Sequence, residues 1–187
     1  MIINGSDIRK IVAECIQKLR EEVGKDTLED TVASTMSQIK EFISDFGLDV
    51  KPSRISHTGW VGIYRAHSVK TGVMRIGVDL DVIRNWSNEL EDEDIDSEEE
   101  ARYQVMVSLW HECGHALFEH VKYCRRRSNA AGDGRFKGKA GKDTTWLMGY
   151  DEEDLVEEFG EYMAGLMNSS DLFNYLIKYK DILRYEG

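Results

Sequence analysis

The sequence predicts an α+β protein in which helices surround a small antiparallel sheet. Apolar residues recur at helical spacing near both ends of the chain, whereas a central stretch from about residue 48 is rich in β-branched and aromatic residues separated by turn formers. A length of 187 residues suffices for one compact domain with its own core. We therefore expect one domain overall, with residues 1–50 forming an N-terminal helical hairpin packed on a core region of residues 51–187.

Residues 1–50 have the pattern of two helices. Ser6 is a candidate N-cap, and the apolar residues after it keep helical spacing up to a stop at Gly24. The second helix is expected to begin near Thr27 and to end at Gly47. Its inward face would consist of Leu28, Val32, Met36, Ile39, Ile43 and Phe46.

The central stretch predicts the sheet. Strands are expected from Trp60 to Ala66 and from Val73 to Val78, joined by a turn near Lys70-Thr71-Gly72. Lys51 to Ser56 is a candidate third strand. Together these segments predict a small antiparallel sheet.

The charged segments after the sheet predict one helix and one loop. An acidic run at residues 89–100 contains a capping sequence at Ser97, which predicts a helix from about Glu98 to Lys122. The basic, glycine-rich segment of residues 125–142 has no apolar period, so we predict a loop. Such a loop either gates a cleft or is simply solvated, and the sequence leaves both interpretations open.

Two further helices are expected near the carboxyl end of the chain. Asp151 is the candidate cap of the first, which would run to about Met167. Ser169 or Ser170 would cap the last helix, whose apolar residues include Leu172, Leu176 and Leu183.

Composition and charge exclude several classes of partner. A formal net charge of −11 disfavours binding to nucleic acid or to an anionic membrane surface, because phosphate groups would be repelled. No apolar run approaches the roughly 20 residues that a bilayer crossing needs, and the start lacks the order of a secretory signal, so a cytoplasmic location is expected. Three cysteines cannot all pair and are expected to be reduced thiols.

Residues 111–115 carry the chemistry that the sequence indicates. His111-Glu112-Cys113-Gly114-His115 is an HExxH motif, which on a helix sets two imidazoles one turn apart with a glutamate beside them. The face around the histidines is polar and the opposite face is apolar, which predicts that the imidazoles face a cleft and bind a metal ion. The polar face comprises Gln104, Ser108, His111, Glu112, His115, Glu119 and Lys122.

A catalytic zinc site usually has three protein ligands and one open position, so a third ligand is needed. His120 lies on the far side of the helix from His111 and is expected to be a packed or rim histidine. Glu157 in the Asp151 helix is the better candidate, because Glu161 shares its face and the small residues near it would let the two helices approach closely. Glu158 remains the alternative ligand.

This pattern resembles the compact gluzincin metalloproteases related to anthrax lethal factor and the Pro-Pro endopeptidases. The likeness spans roughly residues 102–183 and lies in the HExxH helix and in the segments MGYDEEDL and EEFGEYMAGLM. Tyr150 in the first of these segments lies seven residues before Glu157 in the second. The resemblance implies a zincin-like catalytic region, with Glu157 binding zinc and Glu161 orienting a histidine. It also implies that Tyr150 stabilises the oxyanion, although a tyrosine before a helix cap can also serve packing alone.

The expected function is hydrolysis of peptide bonds through a zinc-activated water, with Glu112 as general base. A protein or peptide substrate would add to a sheet edge, for which the Val73–Val78 strand is the candidate. A second resemblance, to the ImmA/IrrE regulatory proteases, lies in HECGHALFEH, but no helix-turn-helix segment accompanies it. A catalytically silent zinc-binding interaction module is the alternative from another class.

Overall fold

Six α-helices and a three-stranded sheet make up the part of the chain that the computed structural model describes, residues 27–53, 61–68, 71–89 and 97–185. The strands are β1 (Asp49–Pro52), β2 (Gly62–Ser68) and β3 (Val73–Val78). The helices are α1 (Leu28–Ser44), α2 (Leu80–Glu89), α3 (Ser97–Ala131), α4 (Gly138–Leu147), α5 (Glu152–Met163) and α6 (Asp171–Lys178), and a 3₁₀ turn comes after them at Lys180–Leu183. The chain is therefore of the α+β class.

Helix α1 agrees with the predicted second helix. Its capping box joins Thr27 and Asp30, because the Asp30 N–H donates to the Thr27 hydroxyl and the Thr27 N–H donates to the Asp30 carboxylate. The helix ends before Gly47, whose φ of +70° favours glycine. The predicted first helix, from Ser6 to Gly24, lies outside the described residues.

The sheet is mixed, so the predicted antiparallel sheet is wrong. Strands β2 and β3 form an antiparallel pair, with Gly62 opposite Val78, but β1 pairs parallel with β3, with Asp49 opposite Val73. The strand order β1-β3-β2 places β3 in the centre. Local turn signals indicated the hairpin, whereas a parallel pair forms through a long crossover and has no such local signal.

Helix α2 was not predicted from the sequence. The buried Asp79 caps it, because its carboxylate accepts hydrogen bonds from the backbone N–H groups of Asp81 and Val82 at 3.1 and 3.4 Å. Only Asp79 separates β3 from this helix, so the sequence shows no turn signal between the strand and the start of the helix.

The predicted loop at residues 125–142 is also wrong. Helix α3 continues to Ala131, nine residues beyond its predicted end, and α4 begins at Gly138, within the same segment. Arginine and alanine are strong helix formers, which explains the continuation of α3 without an apolar period. The segment is also anchored, since Ser128 and Phe136 are buried.

The two predicted caps near the carboxyl end are confirmed. Asp151 accepts a hydrogen bond from the Glu153 N–H at 2.9 Å and begins α5, and Ser170 accepts one from the Phe173 N–H at 3.2 Å and begins α6. Helix α5 ends at Met163, four residues before the expected end, because Gly165 has a φ of +85° and terminates it.

Helix α3 is the centre of the core. It packs against α1, α2, the sheet and α5, and its buried residues include Val105, Leu109, Trp110, Cys113, Ala116, Leu117 and Val121. At about 25 cal/mol per Å² of apolar surface, burial of this face is the main force that fixes the orientation of the helix. Among the described helices, none is both long and apolar enough to cross a membrane.

Candidate metal centre

His111 and His115 stand side by side on the polar face of α3. Their ring centroids are 4.9 Å apart, and their side chains are 26% and 17% exposed. Trp110 and Cys113 on the opposite side of the helix are buried in the core. The burial of that side turns both imidazoles towards a cleft, as the sequence predicted.

Helix α5 runs antiparallel to α3 and packs against it through two glycines. A Cβ atom at Gly160 would lie 2.9 Å from the Val107 carbonyl oxygen and 3.1 Å from the backbone nitrogen of His111. One at Gly114 would lie 3.0 Å from the Val156 Cβ. The missing side chains therefore let the carboxylates of α5 approach the histidines, which is the role that the sequence predicted for the small residues near Glu157.

One carboxylate, that of Glu153, contacts both imidazoles. Its Oε2 atom is 3.6 Å from His111 Nε2, and its Oε1 atom is 3.5 Å from His115 Nε2. One ligand atom from each of the three residues lies within 4.8 Å of the others, so this group could hold a metal ion. Two imidazoles and one carboxylate form a donor set that suits zinc and leaves a position open.

The predicted ligand Glu157 lines the same cleft but lies outside this group. It is one turn along α5 from Glu153, so both residues face α3. The alternative ligand Glu158 is directed elsewhere, because its carboxylate accepts a hydrogen bond from the Asp171 N–H at 2.7 Å, at the start of α6. The structure therefore brings Glu153 to the position that was predicted for Glu157.

Glu112 faces the cleft from α3 and lies against the first residue of β2. A Cβ atom at Gly62 would lie 2.9 Å from Glu112 Cγ and would overlap its carboxylate oxygen. Burial raises the pKa of Glu112 to about 7, with the neighbouring His115 opposing this rise and Glu153 adding to it. A carboxylate with such a pKa can both accept and release a proton near neutral pH.

The cleft has a volume of about 540 Å³. It is lined by Val61, Gly62, Val107, Ser108, His111, Glu112, His115, Glu153 and Glu157. Burial and the neighbouring His115 lower the pKa of His111, against the opposing effect of Glu153 and Glu157. A neutral imidazole has a free lone pair, which is the form that binds a metal ion.

Two residues that the resemblance implied are not among those lining the cleft. Tyr150 is 45% exposed and packs edge to face against Trp146, with ring centroids 4.8 Å apart. Glu161 is half-buried one turn beyond Glu157. The acid that touches a histidine from outside the cleft is instead Glu152, whose Oε1 is 2.9 Å from His115 Nδ1.

His120 is a packed histidine, as predicted. It is fully buried, and its Nε2 lies 2.5 Å from the carbonyl oxygen of Leu183. Cys124 lies 3.4 Å from the same nitrogen. His120 therefore links α3 to the 3₁₀ turn near the end of the chain and is not among the residues that line the cleft.

The sequence did not indicate Glu152 or Glu153 as site residues. Both come directly after the Asp151 cap, and acids in the first turn of a helix are ordinarily explained by the helix dipole alone. The signal that could have found Glu153 was spacing, because it lies four residues before Glu157 and therefore on the same face.

Comparison of the chain with protein-family models, with curated proteins and with solved structures gave no match.

Proposed function

We propose that this protein is a zinc-dependent metallopeptidase of the gluzincin type with a zincin-like arrangement of its site. The observation that carries the proposal is the group of His111, His115 and Glu153, with Glu112 in the same cleft. Two imidazoles and one carboxylate match the donors of a catalytic zinc site, whereas a structural zinc site is closed by four protein ligands. A site that only binds metal would also have no need for Glu112.

Zinc is the metal that fits this donor set, and when bound it polarises a carbonyl group and lowers the pKa of a water to about 7. His111 and His115 would supply Nε2 atoms, which both face Glu153. Glu153 would supply the third ligand, with Glu157 one turn away as the alternative from the same helix.

Glu112 would perform the proton transfers of peptide hydrolysis. Its carboxylate accepts a proton from the attacking water and then delivers that proton to the leaving amine. Burial of the carboxyl group, which raises its pKa to about 7, suits both steps at neutral pH. Gly62 leaves room for Glu112 at the border of the cleft, so β2 helps to hold it in place.

An extended peptide substrate would be held by backbone hydrogen bonds along β2. The Val73–Val78 strand was the candidate from the sequence, but β3 pairs on both of its sides and has no open edge. Within the described residues β2 is an edge strand, and its first residue, Gly62, lines the cleft. A peptide that adds to β2 would therefore pass beside Glu112.

The proposal is tested by metal analysis and by cleavage of a peptide library, on the wild-type protein beside Glu112→Gln. We expect the wild type to bind one zinc and to cleave peptides. The variant should keep near-stoichiometric zinc and lose turnover, because the amide cannot accept the proton. Unchanged turnover in the variant would remove Glu112 from the mechanism, and a wild type that binds zinc but cleaves nothing would favour the silent binding module.

A further inference from the structure

Glu152 lies behind His115, on the side of the ring away from the metal position. Its Oε1 atom is 2.9 Å from His115 Nδ1, whereas the other ring nitrogen, Nε2, is 3.5 Å from Glu153. Two consecutive residues of α5 therefore contact the two nitrogens of one imidazole. The shorter contact, with Glu152, fixes the ring of His115 from the side away from the metal position.

The second oxygen of Glu152 is also engaged. Its Oε2 atom accepts a hydrogen bond from Lys122 Nζ at 2.7 Å, and Lys122 donates a further one to Glu119 at 2.9 Å. The Lys122 Nζ atom also lies 4.4 Å from the centre of the Phe118 ring. These contacts fix the direction of the Glu152 carboxylate, since both of its oxygens have a donor.

The ion pair between Glu152 and Lys122 is partly shielded from water. The side chains of Glu152 and Lys122 are only 32% and 28% exposed, so solvent screens this pair less than a surface ion pair. A charged carboxylate is the stronger acceptor for an imidazole N–H.

We infer that Glu152 is the positioning residue of the metal site, which accepts the Nδ1–H of His115 and thereby leaves the unprotonated Nε2 to face the cleft. This inference rests on the proposed function only in taking His115 as a metal ligand. A carboxylate that accepts the second N–H of a ligand histidine fixes its tautomer and increases its basicity. Glu152 acts through His115 and is not among the residues that line the cleft, and it takes the role that the resemblance implied for Glu161.

The test compares Glu152→Ala and Glu152→Gln with the wild type. Zinc affinity is measured by competition with a chelator, and the tautomer of His115 is read in the metal-free protein by long-range ¹H–¹⁵N NMR. We expect the alanine variant to bind zinc about 10–100-fold more weakly and to lose the preference for the Nδ1–H tautomer. The glutamine variant should lose less, because its amide oxygen can still accept the N–H.

Glu119→Gln is the matched control, because it removes a charge from the same chain of contacts without touching His115. Its zinc affinity should stay within about threefold of the wild type. If thermal unfolding shows that the alanine variant is not folded, zinc affinity and the His115 tautomer are compared between the glutamine variant and the wild type, and these two measurements decide the question. Wild-type affinity and an unchanged His115 tautomer in both Glu152 variants would overturn the inference, as would an equal loss of affinity in Glu119→Gln.

The outcomes for the two proposals are separate. A wild type that binds zinc through His115 and cleaves no peptide would refute the peptidase function and leave the role of Glu152 intact. A wild type that cleaves peptides while the Glu152 variants keep full zinc affinity and the wild-type tautomer would refute only the positioning role.

Discussion

Gly62, the first residue of β2, lies against the carboxylate of Glu112, so closely that no side chain fits between the sheet and the HExxH helix. Gly62 does not have a positive φ, so this close approach, and not the backbone conformation, favours glycine here. The sheet therefore limits where Glu112 can point.

Gly62→Ala should reduce catalysis and leave zinc binding intact. The added methyl group would overlap Glu112 and displace its carboxylate from the cleft. We expect kcat to fall at least about tenfold, which corresponds to about 1.4 kcal/mol of lost transition-state stabilisation. Steady-state kinetics together with zinc analysis measure this effect.

Val61→Ala is the control, because Val61 is the neighbouring cleft residue and its truncation adds nothing near Glu112. It should keep kcat within about twofold of the wild type. Equal activity of Gly62→Ala and the wild type would mean that Glu112 does not depend on the sheet for its position.

Glu153→Gln and Glu157→Gln form a matched pair that identifies the third ligand. Glu153 is in contact with both histidines, so we expect it to be a direct ligand. Mutation of a residue that only orients a ligand lowers metal affinity by roughly 10–100-fold, and Glu153→Gln should lower zinc affinity by more than this. Glu157→Gln should bind zinc within about tenfold of the wild type. Chelator competition measures both, and the reverse order would restore Glu157 as the ligand that the resemblance implied.

The charge of the cleft predicts a preference among substrates. Three carboxyl groups line it, those of Glu112, Glu153 and Glu157, and no lysine or arginine is present among its described lining residues. A divalent ion offsets two negative charges and leaves the charge that Glu112 carries when it is deprotonated. Peptides with Lys or Arg near the cleaved bond should therefore have a severalfold higher kcat/KM than the same peptides with Glu, which would be repelled.

This preference should weaken with salt, because the screening length falls to roughly 3 Å at 1 M ionic strength. Kinetics on paired Lys and Glu peptides at two salt concentrations give the comparison. An equal or reversed preference at low salt would show that another feature selects the substrate.

Tyr150→Phe should have little effect on turnover. The Tyr150 ring packs against Trp146 and does not line the cleft, so removal of its hydroxyl should change kcat less than about twofold. Loss of a true oxyanion donor costs about 100–1,000-fold. A loss of that size would mean that Tyr150 turns into the cleft when substrate binds, in keeping with the resemblance.

The HExxH helix was predictable from the sequence because its two faces differ so clearly. Apolar residues such as Leu109 and Leu117 fix the buried side, and the histidines then have only the opposite side available. The caps at Asp151 and Ser170 were predictable for a similar reason, since each is a local hydrogen bond between a side chain and the next turn.

The features that were not predicted depend on contacts between distant parts of the chain. The parallel pairing of β1 with β3 joins segments separated by the whole of β2. The grouping of Glu153 with the two histidines depends on where α5 meets α3, and Gly114 and Gly160 lie at that close contact. Residues 125–142 have no helical apolar period, and the burial of Ser128 and Phe136, which anchors the segment, is not visible in the sequence.

The length of α3 has a consequence for the choice of metal. Both histidines lie near the middle of a helix of 35 residues, with at least three full turns on either side. The spacing of their backbone positions is therefore set by the helix, so only rotation of the two side chains can adjust the imidazoles to the radius of an ion. Glu153, with a side chain that is 70% exposed, has more freedom to move. Discrimination between divalent ions of different size would then depend on the Glu153 carboxylate. Ions that require a third ligand in a fixed position would be bound more weakly.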